Sequence, residues 1–98
     1  MILEVAILNV IPGLENEFEA AFKQASTIIS RMRGYVSHQI RRCLEHSNRY
    51  ILLVEWETLE AHMEGFRQGP LFAEWRSHFQ AFLDGPPAMT HYQPIAGP

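Results

Sequence analysis

Residues 2–11 of the 98-residue chain read Ile-Leu-Glu-Val-Ala-Ile-Leu-Asn-Val-Ile, and this stretch decides the fold. Aliphatic and β-branched side chains dominate it and Pro12-Gly13 ends it, which is the pattern of a β-strand. One side of the strand carries Leu3, Val5, Ile7 and Ile11, and the other carries Ile2, Ala6, Leu8 and Val10. A strand with one solvent-exposed face alternates apolar and polar residues. This strand is apolar on both sides, so both of its faces are expected to be covered.

The segment 14–33 is predicted to be an amphipathic helix. Its apolar residues, from Phe18 to Met32, recur at intervals of three and four. Acidic residues come early and arginines come late, which suits the helix dipole. Gly34 follows, and a glycine at this position can end the helix in the left-handed backbone conformation.

Two further strands are predicted over 35–44 and 49–57, joined by the polar turn Glu45-His46-Ser47-Asn48. Thr58 can cap a second helix, which Gly69-Pro70 interrupts. The second piece of this helix and a short last strand are predicted over 71–83 and 88–95, and the tail 96–98 is expected to be loose.

The resulting order, β-α-β-β-α-β, predicts a single α+β domain over residues 1–98 with the ferredoxin-like arrangement. Its antiparallel sheet has helices on one face only. The other face still carries aliphatic residues of the first and third strands, which is an association liability if left exposed. We therefore expect a homodimer in which two copies pack sheet against sheet.

Composition argues against several classes of function. The formal charge is −3, and the eight Lys and Arg form no dense patch, which is unlike a nucleic-acid-binding protein. No apolar run approaches the ~20 residues of a membrane span, and no signal peptide is evident. Cys43 is the single cysteine, which favours a reducing, cytoplasmic compartment. No two histidines have the i, i+4 spacing of helical metal ligands, so no metal is expected.

Four stretches recur in the order of a known family. They are Val10-Ile11-Pro12-Gly13, Arg33-Gly34-Tyr35, Val54-Glu55-Trp56-Glu57-Thr58-Leu59-Glu60-Ala61-His62 and Phe72-Ala73-Glu74-Trp75. Over about residues 2–95, the chain resembles the antibiotic biosynthesis monooxygenase-like family (ABM domain) of dimeric α+β barrel proteins. The resemblance implies a dimer with a pocket between each sheet and its helices. Some members oxidise polycyclic phenols or quinols with O₂ and no cofactor, others degrade haem, and many have no known reaction.

The haem-degrading branch of this family implies an Asn on strand 1, a Trp in helix 2 and a haem-ligating His further along. Here Asn9 comes too late in its strand, and Phe66 and Arg76 stand near the places of the Trp and the His. This departure argues against haem degradation, and we expect that the protein needs no cofactor.

Cofactor-free oxygenation requires a base, a hydrogen-bond donor for developing charge and a dry cavity. His62 is the candidate base, because a neutral histidine titrates near working pH. The alternative for His62 is a half-buried side chain at the core edge, bonded to a backbone carbonyl. The candidate substrate-binding residues are Phe66, Phe72, Trp75, His78, His38 and Trp56.

Several of these residues also have an ordinary structural interpretation. The aromatic stripe at helical spacing is typical of a core, although so many rings in a small domain could line a cavity for a flat ligand. His78 either shares the cavity of Trp75 or flanks the stripe, and His38 is either a pocket group or a dimer-interface group. His91 is assigned to a sheet edge or an interface. Of Arg41 and Arg42, whichever is buried is expected to pair with Glu55.

The leading hypothesis is a cofactor-independent monooxygenase that acts on a small aromatic phenol or quinol. A non-catalytic ligand-binding or stress-related dimer is the alternative from another class, and haem binding is a third. A cavity filled by side chains, with His62 bonded to backbone, would favour the non-catalytic protein.

Overall fold

Four strands form one antiparallel sheet in a computed structural model of the chain, which describes residues 1–95. The strands are β1 (Ile2–Asn9), β2 (Tyr35–Arg42), β3 (Arg49–Trp56) and β4 (Ala88–Tyr92). Their order across the sheet is β2-β3-β1-β4, which confirms the predicted ferredoxin-like α+β fold. The tail 96–98, expected to be loose, lies outside the described residues.

The helical segments all lie on one face of the sheet. Helix α1 spans Glu15–Ile29 and ends earlier than predicted, because residues 30–34 form turns that lead into β2. The second helical region is broken, as expected: it consists of a π-helical segment (Ala61–Phe66), helix α2 (Pro70–Ser77) and a 3₁₀ turn (Gln80–Phe82). The prediction of one helix over 71–83 is therefore wrong beyond Ser77.

The helix-covered face of the sheet carries the hydrophobic core. Residues Ala6, Leu8 and Val10 of the first strand region are almost fully buried there, as are Leu52, Val54 and Trp56 of β3. Phe18 and Phe22 of α1 pack against them, together with Phe66, Trp75 and Phe79. Glu4 points to this same face, and it is only 3% exposed. A carboxyl group is therefore buried in the core of the domain.

The opposite face of the sheet is apolar along its two central strands. Its side chains include Leu3, Val5 and Ile7 of β1, which lie opposite Glu55, Leu53 and Ile51 of β3. The five aliphatic members of this set are half-buried although no helix covers them. The edge strands contribute mainly polar residues to the same face, among them Ser37, Gln39, Arg41 and Thr90. We call this apolar surface with its polar edges the open face.

The arginine pairing differs from the prediction. Arg42 forms an ion pair with Glu19 of α1, and its Nε donates to the Tyr50 hydroxyl at 3.0 Å. Glu55 cannot reach Arg42, because Glu55 lies on the open face whereas Arg42 lies opposite Tyr50 on the helix-covered side. Arg41 shares the open face with Glu55, but its Nε donates to Gln39 Oε1 at 2.8 Å, and within residues 1–95 it forms no ion pair with Glu55. Both arginines are exposed, so the expected burial of one of them and its pairing with Glu55 are wrong.

Gly34 joins α1 to β2 in a conformation that other residues seldom adopt, with φ at +87°. A Cβ atom at Gly34 would also come within 2.5 Å of the Ala61 Cβ. We therefore predict that Gly34→Ala lowers the free energy of unfolding by about 2–4 kcal/mol, the sum of a positive-φ cost and overpacking. Gly13→Ala is the matched control, because Gly13 has φ +96° but open space around it. Urea unfolding should show a cost of only about 1 kcal/mol for the control, and equal costs would contradict a clash at Gly34.

Candidate active site

A cavity of about 90 Å³ lies between the sheet and the second helical region. Strands β1, β3 and β4 form its floor, and the helical segments form its wall. The residues that line it are Glu4, Ala6, Leu8, Leu52, His62, Arg67, Phe72, Trp75, Arg76, Phe79, Pro87 and Met89. The lining is therefore apolar and aromatic except for one carboxyl, one imidazole, the Trp75 indole nitrogen and two guanidinium groups.

His62 reaches this cavity from the π-helical segment. The Arg67 N–H donates to the His62 carbonyl at 2.8 Å, a five-residue spacing in place of the usual four. Such wide turns are rare and often occur at functional sites. The His62 ring stacks on Trp56, with centroids 5.0 Å apart and an interplanar angle of 17°, and the residue is only 1% exposed.

Three polar side chains contact one another in a chain that starts at the cavity floor. The Glu4 Oε1 atom accepts from the Trp56 indole N–H at 3.0 Å and lies 3.3 Å from His62 Nε2. The His62 Nδ1 atom lies 2.7 Å from Nε2 of His91. Because His91 is only half-buried, the chain Glu4–His62–His91 connects a buried carboxyl with the surface. We call it the carboxyl–histidine chain.

Burial sets the charge of this chain. Desolvation raises the pKa of Glu4 above its ordinary 4.5, although the Trp56 hydrogen bond and the nearby Arg67 charge oppose that change. Desolvation, together with the nearby His91 and Arg67 charges, lowers the pKa of His62 to about 4. His62 is therefore uncharged at neutral pH and has one N–H and one lone pair.

A neutral His62 allows two proton arrangements of the chain. With Glu4 ionised, His62 carries its proton on Nε2, which faces Glu4, and its Nδ1 accepts a hydrogen bond from His91. With Glu4 protonated, the Glu4 O–H faces the lone pair of His62 Nε2, and His62 Nδ1–H donates to His91. The two arrangements differ by one proton, which enters or leaves at the outer nitrogen of His91. The geometry thus suits reversible proton transfer to the buried carboxyl.

Within residues 1–95, the other polar side-chain groups of the lining have neither a hydrogen-bond nor an ion-pair partner. The indole nitrogen of Trp75 is buried and lacks a hydrogen-bond acceptor within residues 1–95. The guanidinium carbons of Arg67 and Arg76 lie 5.6 and 5.7 Å from the centroid of the Phe72 ring. Across that same part of the chain, neither arginine has a carboxylate within ion-pair distance.

The structure brings together some of the predicted site residues and separates others. His62, Phe72 and Trp75 line the cavity, and Trp56 lies behind His62. Phe66 lies behind the aromatic wall, with its ring centroid 5.4 Å from that of Phe72 and 5.3 Å from that of Trp75. His78 is exposed and does not belong to the lining.

His38 belongs to a different depression, a groove of about 370 Å³ between α1 and β2. There its Nδ1 lies 2.5 Å from the Tyr35 hydroxyl, and desolvation lowers the pKa of His38. Phe18 and Phe22 form the apolar part of this groove. The side chain therefore faces the helix layer and not the open face of the sheet.

Sequence reasoning missed Glu4 and His91 as members of the site. A signal for Glu4 was present, because it is the one acidic residue in the apolar strand 2–11. Its place on the helix-covered side follows from the alternation with Ala6 and Leu8. His91 could be found only from the register, which places it opposite Glu4 in the pairing of β4 with β1.

Within residues 1–95, no three His, Cys, Asp or Glu side chains are grouped so that they could hold a metal ion. Over the same residues, no helix has the length and apolar character required to cross a membrane.

Comparison with known proteins gives the same family as the sequence resemblance. Residues 1–84 match the family model for antibiotic biosynthesis monooxygenases. The uncharacterized protein YczJ of Bacillus subtilis (strain 168) is 46% identical over 95 residues, which are 97% of this chain and all of YczJ.

Solved structures agree in fold. A Bordetella bronchiseptica protein whose name places it among the antibiotic biosynthesis monooxygenases is 39% identical, with a TM-score of 0.92 and coverage of 96% of both chains. SnoaB of Streptomyces nogalater, described as a cofactor-independent oxygenase, is 20% identical, with a TM-score of 0.82 and coverage of 98% of this chain and 94% of its own. The chain belongs to the antibiotic biosynthesis monooxygenase family.

Proposed function

We propose that this protein is a cofactor-independent monooxygenase that oxidises a small phenol or quinol in the cavity between sheet and helices. The observation that carries the proposal is a buried carboxyl, Glu4, whose Oε1 atom lies 3.3 Å from the Nε2 atom of a neutral histidine at the floor of an aromatic cavity. Buried acid–base groups of this kind are concentrated at catalytic sites. The family match, and the description of the structurally similar SnoaB as a cofactor-independent oxygenase, support the same class of reaction.

The reaction must take all its electrons from the substrate. Removal of the phenolic proton gives an electron-rich anion that can donate an electron to O₂. A carbon–oxygen bond then forms, the O–O bond breaks, and a ring C–H becomes C=O. A phenol and O₂ thus yield a quinone and one water, and the four electrons that reduce O₂ come from the ring.

Glu4 is the group best placed to take the phenolic proton. Its Oε1 atom is engaged by Trp56 and His62, while its Oε2 atom has no hydrogen-bond partner within the described range 1–95. A raised pKa brings this carboxylate closer to working pH, where a general base is most effective. We place His62, the candidate base of the sequence analysis, one step behind Glu4, because its Nδ1 is hydrogen-bonded to His91 and its Nε2 faces Glu4 at 3.3 Å.

The remaining lining residues would position the substrate and exclude water. Phe72 and Phe79 provide apolar ring surfaces, and Trp75 holds an indole N–H that could donate to an oxygen on which negative charge develops. A cavity of ~150 Å³ is known to hold benzene. The cavity of about 90 Å³ is smaller than this, so a single ring would fill it and extend through its open side, and it leaves no room for a polycyclic system.

The open cavity and the contacts of the His62 ring argue against a non-catalytic protein whose pocket is filled by its own side chains. A void remains between sheet and helices, and the His62 ring bonds to side chains and not to a backbone carbonyl. We also propose, from the open face and from the single cysteine, that the protein is a cytoplasmic homodimer paired through its sheets.

The test is O₂ consumption by metal-free, purified protein supplied with a panel of hydroquinones, catechols and monocyclic phenols. We expect uptake above the autoxidation background for at least one member, with one water and one quinone formed per O₂. Binding of panel members without any O₂ uptake would contradict the oxygenase and favour a ligand-binding protein. A Soret shift on addition of haemin would favour haem binding.

A further inference from the structure

We infer that the ligand of this cavity carries a carboxylate, which Arg67 and Arg76 bind at the mouth while the aromatic ring enters the cavity. The inference deepens the proposed function and depends on it only for the reaction that the ring undergoes. Arg67 is exposed and Arg76 is half-buried, so the two guanidinium groups lie where the lining meets solvent.

Both arginines are arranged around one ring. Their guanidinium carbons lie 5.6 and 5.7 Å from the Phe72 centroid, within the range of cation–π contact. This contact limits the movement of two otherwise flexible side chains. Neither guanidinium group has an ion-pair partner among the side chains of residues 1–95. The mouth of the cavity therefore presents two cations without an ion-pair partner in residues 1–95, although the Arg67 charge acts on Glu4 from a longer distance.

The charge of the whole lining points in the same direction. Glu4 is its only acidic member, and His62 is uncharged at neutral pH. With two arginines, the lining has a net charge of at least +1 even when Glu4 is ionised. Glu4 accepts a hydrogen bond from Trp56, lies 3.3 Å from His62 Nε2 and makes no ion pair with either arginine. An anionic ligand would therefore complement the cavity, whereas a neutral one would leave both cations unpaired.

The Trp75 indole is an independent sign of a missing ligand. Trp75 is 7% exposed and lines the cavity, and its N–H has no acceptor within the described chain. Buried donors are rarely left without a partner in native proteins. A ligand that brings oxygen atoms into an otherwise apolar space could supply that acceptor. We favour a carboxylate because its planar pair of oxygens matches the guanidinium fork and can remain conjugated with the ring.

The experiment compares benzoate with benzamide, a neutral ligand of nearly the same shape, by titration calorimetry on the full chain. We expect benzoate to bind at least ~10-fold more tightly than benzamide, as two charge-assisted contacts allow. The preference should fall to near unity in R67A/R76A and should decrease as salt is added. The control Arg33→Ala removes an exposed arginine that does not line the cavity, and it should keep the preference.

Three results would overturn the inference: equal binding of benzoate and benzamide, a benzoate preference that survives in R67A/R76A, or an equal loss of preference in Arg33→Ala. If phenyl phosphate binds more tightly than benzoate, the ligand group recognised by the two arginines is a phosphate and not a carboxylate. Benzoate has no oxidisable hydroxyl group, so this test is independent of oxygenation. A preference for benzoate over benzamide, combined with no O₂ uptake on any phenol, would support the anion-binding site and contradict the proposed oxygenation.

Discussion

Replacement of Glu4 by glutamine is expected to lower kcat for the best phenolic substrate by at least ~100-fold, because general acid–base groups typically contribute 10²–10⁴. The amide has almost the shape of the carboxyl and can still accept the hydrogen bond from Trp56. It cannot take a proton. Stopped-flow or electrode measurements of O₂ consumption at saturating phenol would report the loss.

The pH profile separates this role from a purely structural one. The pKa of Glu4 is raised above 4.5 by burial, and the ionised form is the base. The kcat/KM of the unaltered protein should therefore decrease as the pH falls through a midpoint above 4.5. In Glu4→Gln that acidic limb should be absent, because the group that titrates has been removed. Ionisation of the phenol itself affects the pH profiles of the unaltered protein and of Glu4→Gln equally, so it does not account for a difference between them.

Two further variants serve as comparisons for Glu4→Gln. Glu57→Gln changes an exposed carboxyl outside the cavity lining, and we expect kcat within twofold of the unaltered protein. His62→Gln interrupts the carboxyl–histidine chain and should also reduce kcat, while Glu4 still produces an acidic limb at a shifted midpoint. Full activity of Glu4→Gln, with unfolding by urea unchanged, would exclude Glu4 as the base.

The sequence was sufficient for the architecture because its signals are local and repeated. The apolar run 2–11, the stripe from Phe18 to Met32 and the break at Gly69-Pro70 each correspond to an element of the structure. The end of the last helix was predicted too late. Phe79 continues the helical spacing of Phe72 and Trp75, yet its backbone leaves the helix with φ −130° and its ring becomes buried in the core.

The site was less predictable because its key contacts join residues far apart in the sequence. Glu4, His62 and His91 come from β1, the π-helical segment and β4, and only the pairing of β4 with β1 places His91 opposite Glu4. Periodicity also cannot reveal a five-residue helical spacing, so the direction of His62 could not be derived. The helical spacing of His78, three residues after Trp75, indicated that both side chains could share the cavity. His78 is exposed instead, so spacing alone did not predict its position.

The second large effect concerns assembly: Leu53→Glu is expected to convert a dimer into a monomer. Leu53 lies opposite Val5 in the middle of the open face, where central strands are apolar and edge strands polar. In a two-fold symmetric pair, the substitution introduces two carboxylates into the same apolar contact. Each burial of an unpaired charge is costly, so we expect dimerisation to weaken by at least ~3 kcal/mol, or more than ~100-fold.

The measurement is sedimentation velocity at micromolar concentration, where the unaltered protein should have twice the mass of its 11.3 kDa chain. Ala20→Glu adds the same charge to an exposed position of α1, on the helix layer, and should remain dimeric. Leu53 is absent from the buried core of the single chain, so the variant should keep its secondary structure by circular dichroism. A compact monomer for the unaltered protein would contradict the sheet-to-sheet dimer, and the half-buried aliphatic residues of the open face would then need another partner.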